Sequence, residues 1–296
     1  MKKMMVYFLM LMFGSSVQGQ EEHARIEITG SIDWVKAEIN AVGTLNLALA
    51  GVKMPAGRLR GEEILNSEYP QALRAFLLPI QVDSASTLEE LVGTEAYPLA
   101  ALDALCERGR GAPPALSKDL SALTGRYTVP LDALSAEFAL HKRAAPIPIL
   151  LDPVPSAEYT SIIVVVEEAL PVHGRPRGLK SLPRPCLFPR IWDTNMDLLY
   201  ERAVGEPGNK TRIVRYISLQ DIFFNTPTGL RGDIAAFAGA RPLRIIAQEV
   251  FGETPTDLVI DAEDARIILS SENNKALLRA HKVIFAFPAE ALRSSL

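Results

Sequence analysis

Residues 256–287 read TDLVIDAEDARIILSSENNKALLRAHKVIFAF, and the hydrophobic spacing of this stretch changes twice. Leu258-Val259-Ile260 is a short apolar run with two β-branched residues, which suits a buried strand. Asp261 follows at the position of a helix N-cap, where its carboxylate can accept hydrogen bonds from first-turn N–H groups. Ala265, Ile268 and Leu269 then fall on one helical face. Asn273-Asn274 predicts a break, because Asn tolerates left-handed backbone better than most residues. Lys275 to Ala280 adds about one more turn, and Val283 to Phe287 returns as a second buried strand. The unit is strand, helix, strand, and the second half of the chain is expected to pack against it.

Working back from this unit, Leu243 to Phe251 and Arg212 to Leu219 alternate as strands. Cys186 to Tyr200 reads as a hairpin about Asp193-Thr194-Asn195, with Pro189 marking an edge or a bulge. His173 to Pro185 is a basic loop with Gly and Pro. Tyr159 to Val166 is a continuous β-branched run, the pattern of a central strand covered on both faces. Ala144 to Pro155 (AAPIPILLDPVP) holds four prolines in twelve residues. It forms a stiff, extended linker or an edge-running connection. In the first half, Arg25 to Trp34 alternates and is expected to pair as a hairpin with Ala37 to Val42 through Val35-Lys36. Ala56 to Phe76 reads as a helix with Pro70 as an interruption. Ile80 to Val82 is short and β-like, and Thr87 to Val92 and Ala96 to Glu107 read as helices. Gly109 to Pro114 reads as a loop, and Tyr127 to Leu131 as a strand.

The resulting expectation is an α+β fold. An N-terminal β-hairpin and helices are followed by a mostly antiparallel sheet with a C-terminal strand-helix-strand unit. The expected organisation is a signal peptide (1–19), a helix-rich region (20–143), the proline-rich linker (144–155) and a β-rich region (156–296). Hydrophobic residues make up 48% of the 296 and charged residues 22%, which fits a globular chain with a sizeable core. The net charge of -4 gives no electrostatic reason to expect nucleic acid.

Lys2 and Lys3 precede an apolar run from Met4 to Phe13, too short to span a bilayer. Val17-Gln18-Gly19 resembles a signal-peptidase site, so cleavage near Gly19 and a periplasmic, exported chain are expected, with no transmembrane span once processed. No cysteine lies near the cut to carry a lipid. The alternative is a short amphipathic anchor left in place.

The motifs that carry chemistry are sparse. Cys106 and Cys186 are the only cysteines, and their spacing fits no metal motif. In an oxidising compartment they could pair, but two buried free thiols is the preferred reading. Asp257, Asp261, Glu263 and Asp264 could bind a divalent cation or supply paired carboxylates. Helix capping and complementation of the helix dipole explain them more simply. His23, His141, His173 and His281 are scattered without ligand spacing. No serine sits in a Gly-x-Ser-x-Gly elbow. No metal or cofactor is implied. The one dense feature is the basic loop, whose cations Arg175, Arg177, Lys180, Arg184 and Arg190 stand in an otherwise acidic chain and form the candidate binding surface.

The order of these signals resembles a known group. Gly30, Ile32 and Trp34 are followed by Ile39, Ala41 and Gly43, then Pro55, Gly57 and Arg58, and ALRAFLLPIQVDSASTLEEL from Ala72 to Leu91. Later come Tyr159 to Val164, Leu187 to Ile191, and the closing strand-helix-strand unit. Most of the chain resembles uncharacterised bacterial envelope proteins grouped with the twenty-kilodalton lipoprotein-like family and the N-terminal part of flagellar assembly protein T. These motifs are fold markers, with low specificity for function. Two departures stand out: the lipid-bearing cysteine of many relatives is missing, and Val164 to Glu168 replaces an Ile-Val-Asp-Ala-Arg stretch. The resemblance implies a non-enzymatic structural or adaptor protein of the periplasm, possessing envelope or flagellar proteins as partners. The basic loop adds an anionic envelope polymer to that list. The competing expectations are a periplasmic small-molecule or polymer binder, which needs a concave pocket, and an envelope hydrolase, which needs a nucleophile with a base in reach.

Overall fold

The computed structural model describes residues 25–94, 99–108, 110–139, 141–176, 178–208, 212–222 and 229–295. The expected signal peptide and His23 lie outside them. The fold is α+β.

The first half forms β1 (Ile26–Asp33), β2 (Glu38–Asn46), α1 (Arg58–Leu77), α2 (Leu88–Val92), α3 (Leu99–Glu107), β3 (Arg110–Leu116), β4 (Ala122–Pro130) and α4 (Leu131–Phe138). The expected hairpin is present: β1 and β2 pair antiparallel from Ile26↔Leu45 to Asp33↔Glu38. The turn is closed where Lys36 N–H donates to Asp33 Oδ1 at 2.9 Å. α1 lies on the sheet with Leu65, Tyr69, Leu73 and Leu77 buried at four-residue spacing. Pro70 does not interrupt it. The acceptor that a proline leaves unbonded four residues back belongs to Asn66, which is exposed, so water can satisfy it. Thr87 caps α2 in a capping box with Glu90.

The expected loop at Gly109 to Pro114 is corrected. Arg110 to Leu116 is an edge strand paired with β4, and its register breaks between Ala112 and Ala115. Pro113 and Pro114 sit in that break, at the sheet edge, where a missing N–H costs no ladder bond.

The second half forms β5 (Ser161–Val165), β6 (Leu170–Pro171), β7 (Lys180–Ser181), β8 (Ile191–Asp193), β9 (Leu198–Tyr200), β10 (Arg215–Ser218), α5 (Gly232–Ala238), β11 (Pro242–Ile246), β12 (Glu249–Phe251), β13 (Asp257–Ile260), α6 (Ala262–Leu269), α7 (Glu272–Arg279), β14 (Val283–Phe287) and β15 (Arg293–Ser295). Its central sheet runs β10-β14-β5-β11 with every pair parallel. The mostly antiparallel expectation is therefore corrected. The physical reason is burial on both faces: Ile162 and Val164 of β5 point into one core, Ile163 and Val165 into another. Such strands read as continuous apolar runs and belong to parallel sheets covered by helices. α5 covers one face through Ile234 and Ala238. A smaller mixed sheet runs β12-β13-β8-β9.

The strand-helix-strand unit is present, but β13 and β14 lie in different sheets, so the helices carry the chain from one sheet to the other. The helical break falls at Ser270-Ser271, three residues earlier than expected. Ser271 caps α7, its side chain accepting from Asn274 N–H.

The two halves share a core. Trp34, Tyr69, Leu73 and Phe138 from the first half join one buried cluster with Ile162, Tyr216 and Phe285 from the second. β15, the last described strand, pairs antiparallel with β1 at residues 31–33 and completes the first sheet in the order β15-β1-β2-β4-β3. The proline-rich stretch is an anchored connection: Ala145 N–H donates to Ala203 O, and Val154 N–H to Ser270 Oγ. No described helix is long and apolar enough to cross a membrane.

Candidate functional site

The basic loop meets the first half of the chain at the seam between the two sheets, and its cations divide into two groups there. Arg190 turns inward. Its guanidinium lies 3.3 Å from Asp83 and 3.8 Å from Asp257, and donates to Ser84 Oγ at 3.4 Å. Asp257 is fully buried and accepts from Ser84 Oγ, Thr256 Oγ1, Trp192 Nε1 and Arg190 N–H. Burial pushes its carboxyl above the usual range, against the opposing pull of the Trp192 hydrogen bond and the Arg190 charge. Arg190 therefore serves a structural knot between the halves, and its charge is spent on two carboxylates.

The other described cations face outward. Arg175 is exposed in the turn before β7. Lys180 pairs with Glu168 at 3.8 Å, with both side chains well exposed. Arg184 is exposed on an extended strip whose neighbours Pro183 and Pro185 are buried. Arg177 lies outside the described residues.

Lys180 and Arg184 line a cleft of about 740 Å³ at the seam. Ile32, Trp34 and Ile80 of the first half form its floor, Leu182 and the prolines of the basic strip one wall, and the segment from Glu290 to Arg293 another. Arg293 adds a third cation from β15, and Glu290 is the one carboxylate among the lining residues. Arg184 and Arg293 make no side-chain hydrogen bond or ion pair among the described residues. Unpartnered guanidinium groups beside an apolar floor can bind carboxylate or phosphate through paired N–H donors. Gln81 spends its amide N–H donors on Asp83 O and Ser86 O, which leaves its carbonyl oxygen as an acceptor in the same cleft.

Arg293 and Gln81 carried no signal in the sequence. They join the site only because β15 returns to β1 and because the strand-like segment after α1 packs beside the basic strip. The basic, Gly- and Pro-containing loop from His173 to Pro185 was the readable part.

The remaining candidates are separated. Asp261 caps α6 by accepting from Glu263 N–H at 2.8 Å, and Glu263 pairs with Arg266. With Asp257 in the knot, the acidic run forms no common site, and no group of potential metal ligands occurs among the described residues. Both ring nitrogens of His141 face carbonyl oxygens, of Ala139 and Gly205. His173 pairs with Glu249, and its ring stands edge-on to Phe251. His281 is buried against Tyr200. Cys106 and Cys186 are buried free thiols, and burial pushes the Cys106 thiol up to about 12. Such thiols stay protonated and unreactive.

No curated protein matches the chain. Two family models do match, and their descriptions name neither the lipoprotein-like family nor flagellar assembly protein T. The matched stretches, 25–137 and 161–289, flank the proline-rich connection. In that order, the chain is similar first to the N-terminal domain and then to the second domain of Treponema pallidum Tp0624.

Proposed function

We propose that this chain is a non-enzymatic structural or adaptor protein of the bacterial envelope that holds an anionic partner in the seam cleft. One observation carries the reading: Lys180 and Arg184 of the basic loop and Arg293 of β15 converge on one cleft, where Glu290 is the lining carboxylate and Glu168 pairs with Lys180. Exposed charge of this kind raises encounter rates and selects anionic partners more than it tightens binding. The envelope and flagellar setting rests on the sequence resemblance, and the exported compartment on residues 1–19. A cleft of about 740 Å³ also suits a small ligand, so a small anionic molecule is the second reading.

The test is charge reversal at Lys180, Arg184 and Arg293 to Glu in one variant. All three side chains are exposed, so melting should move little, since surface changes rarely exceed about 0.5 kcal/mol. The wild-type protein should co-sediment with native envelope fractions, and less so as salt rises. The variant should lose that co-sedimentation. A folded variant that sediments like wild type at low salt removes the cleft from the function.

A further inference from the structure

The central sheet is open and parallel, and the chain leaves its strands in different directions. β10 and β14 are neighbours and end together, with Ser218 opposite Phe287. After β10 the chain turns to the face covered by α5, where Ile222 and Leu230 join the smaller core. After β14 it turns to the other face, and Leu292 enters the core shared by both halves on the way to β15. Adjacent parallel strands whose connections part to opposite faces leave a crevice beyond their carboxyl ends, and open sheets of this kind bind ligands there.

A crevice of about 450 Å³ lies at this point, within the size range of small-ligand pockets. Ser218 of β10, Ala289 and Leu292 after β14, and Asp33 and Val35 of the first hairpin line it, together with Arg293 of β15. Asp33 and Arg293 are directly opposed in the β1–β15 ladder, so both side chains stand on one face of it. The two charges do not close on each other. Asp33 accepts from Lys36 N–H at 2.9 Å and has Lys36 Nζ at 3.6 Å, and Arg293 forms no ion pair among the described residues. The Lys36 side chain is well exposed and such a contact is weak, so a ligand cation can take its place. Ser218 Oγ accepts from Gln220 N–H, which leaves its hydroxyl proton to donate to an anion.

The geometry points to a binding site for a free α-amino acid with an apolar side chain. Its carboxylate meets the Arg293 guanidinium and the Ser218 hydroxyl, its ammonium meets the Asp33 carboxylate, and its side chain lies on Val35, Ala289 and Leu292. Opposite charges held side by side suit a carboxylate and an ammonium carried on one carbon. A simple anion fits less well, because Asp33 would face it with like charge. This site does not depend on the docking of a partner in the seam cleft. The two share Arg293, but neither Asp33 nor Ala289 lines the seam cleft, so they can be tested apart.

The probes are L-leucine, L-valine, L-methionine and L-phenylalanine, each titrated into the full chain by isothermal calorimetry. At least one should bind saturably and raise the melting temperature. For that amino acid, the matching acid without its amino group and the matching amide without its carboxylate should each bind about tenfold more weakly or worse. Asp33→Asn keeps an acceptor for Lys36 N–H and should weaken the amino acid by a similar factor. Ala289→Phe, at an exposed position, fills the crevice and should abolish binding while leaving the circular dichroism spectrum unchanged. Failure of all four amino acids to bind overturns the proposal. Equal binding of the acid without its amino group overturns it in favour of a simple anion on Arg293. Unchanged binding in either variant places the ligand elsewhere and overturns it too.

Discussion

His281 sits in left-handed backbone, with φ 53°, and is buried against Tyr200. The Tyr200 hydroxyl donates to Ile213 O, so it accepts from His281 Nδ1–H, and this fixes the neutral tautomer with its lone pair on Nε2. Burial, and the nearby His141, push the His281 pKa down to about 4. The unfolded chain then binds more protons than the native one between about 6.5 and 4. Stability is fully present above that window and falls as pH drops through it, by roughly 3 kcal/mol from this group. His281→Asn, which keeps a residue tolerant of left-handed backbone, should flatten that slope in denaturant titrations. An unchanged slope would place the acid sensitivity elsewhere. Gly205 gives a steric test of the same pocket. A Cβ built there would stand 2.2 Å from His281 Nε2. Gly205→Ala should cost about 1–3 kcal/mol of stability by overpacking, read from its denaturation midpoint. None of this was legible in the sequence, where His281 and Gly205 are 76 residues apart and neither sits in a motif.

At the scale of elements, the stretch that ties the second half together is α6 with α7. Ile268 is buried on the core face of α6, as its spacing predicts. Ile268→Asp strands a charge there and should cost several kcal/mol, so a thermal melt like wild type would mean the helical face is assigned wrongly. Asn274 tests a contact that spacing does not reveal. Its side chain is buried, accepts from Tyr159 N–H at 3.0 Å and donates to Ser156 Oγ and Ala157 O. It therefore pins the end of the proline-rich connection to α7. Asn274→Ala leaves Tyr159 N–H unsatisfied and should cost about 1–3 kcal/mol, with faster proteolysis of the connection as its second readout. The sequence marked Asn274 as a helix breaker because Asn favours turns. What decides its role is a partner more than a hundred residues away. The strands were legible as apolar runs, but their direction was not. Parallel or antiparallel pairing depends on which strands become neighbours, and local periodicity carries no information on that. For β3 the turn-forming Gly and Pro content masked an edge strand, because an edge tolerates what a central strand cannot.

The whole molecule raises the question of whether its two family-like halves fold as one body. A proline-rich stretch lies between the two matched stretches, and each carries its own pattern. Their joining was not legible, because it depends on three contacts between distant residues: β15 on β1, the shared core around Trp34 and Tyr216, and the knot in which Asp83 and Ser84 of the first half meet Arg190 and Asp257 of the second. Asp257 is fully buried and Arg190 partly so, and removing Asp257 should cost about 1–3 kcal/mol because it leaves the Ser84 and Trp192 donors without their acceptor. The seam cleft exists only while these contacts hold, so the proposed docking needs both halves in place. The chain's two tryptophans allow this to be measured. Trp34 belongs to the turn of the first hairpin and Trp192 to the second half, where it donates to Asp257. In single-tryptophan variants made by Trp34→Phe and Trp192→Phe, each remaining indole reports on its own half. A shared core with a buried ionic knot predicts one cooperative transition, so within each variant the fluorescence curve should coincide with far-ultraviolet circular dichroism. Asp257→Ala added to each variant should lower the midpoint seen by Trp34 as well as that seen by Trp192, although the lost carboxylate lies in the second half. If the Trp34 signal keeps its midpoint while the Trp192 signal shifts, the halves are thermodynamically independent, and the cleft is a gap between two bodies rather than a site built by one.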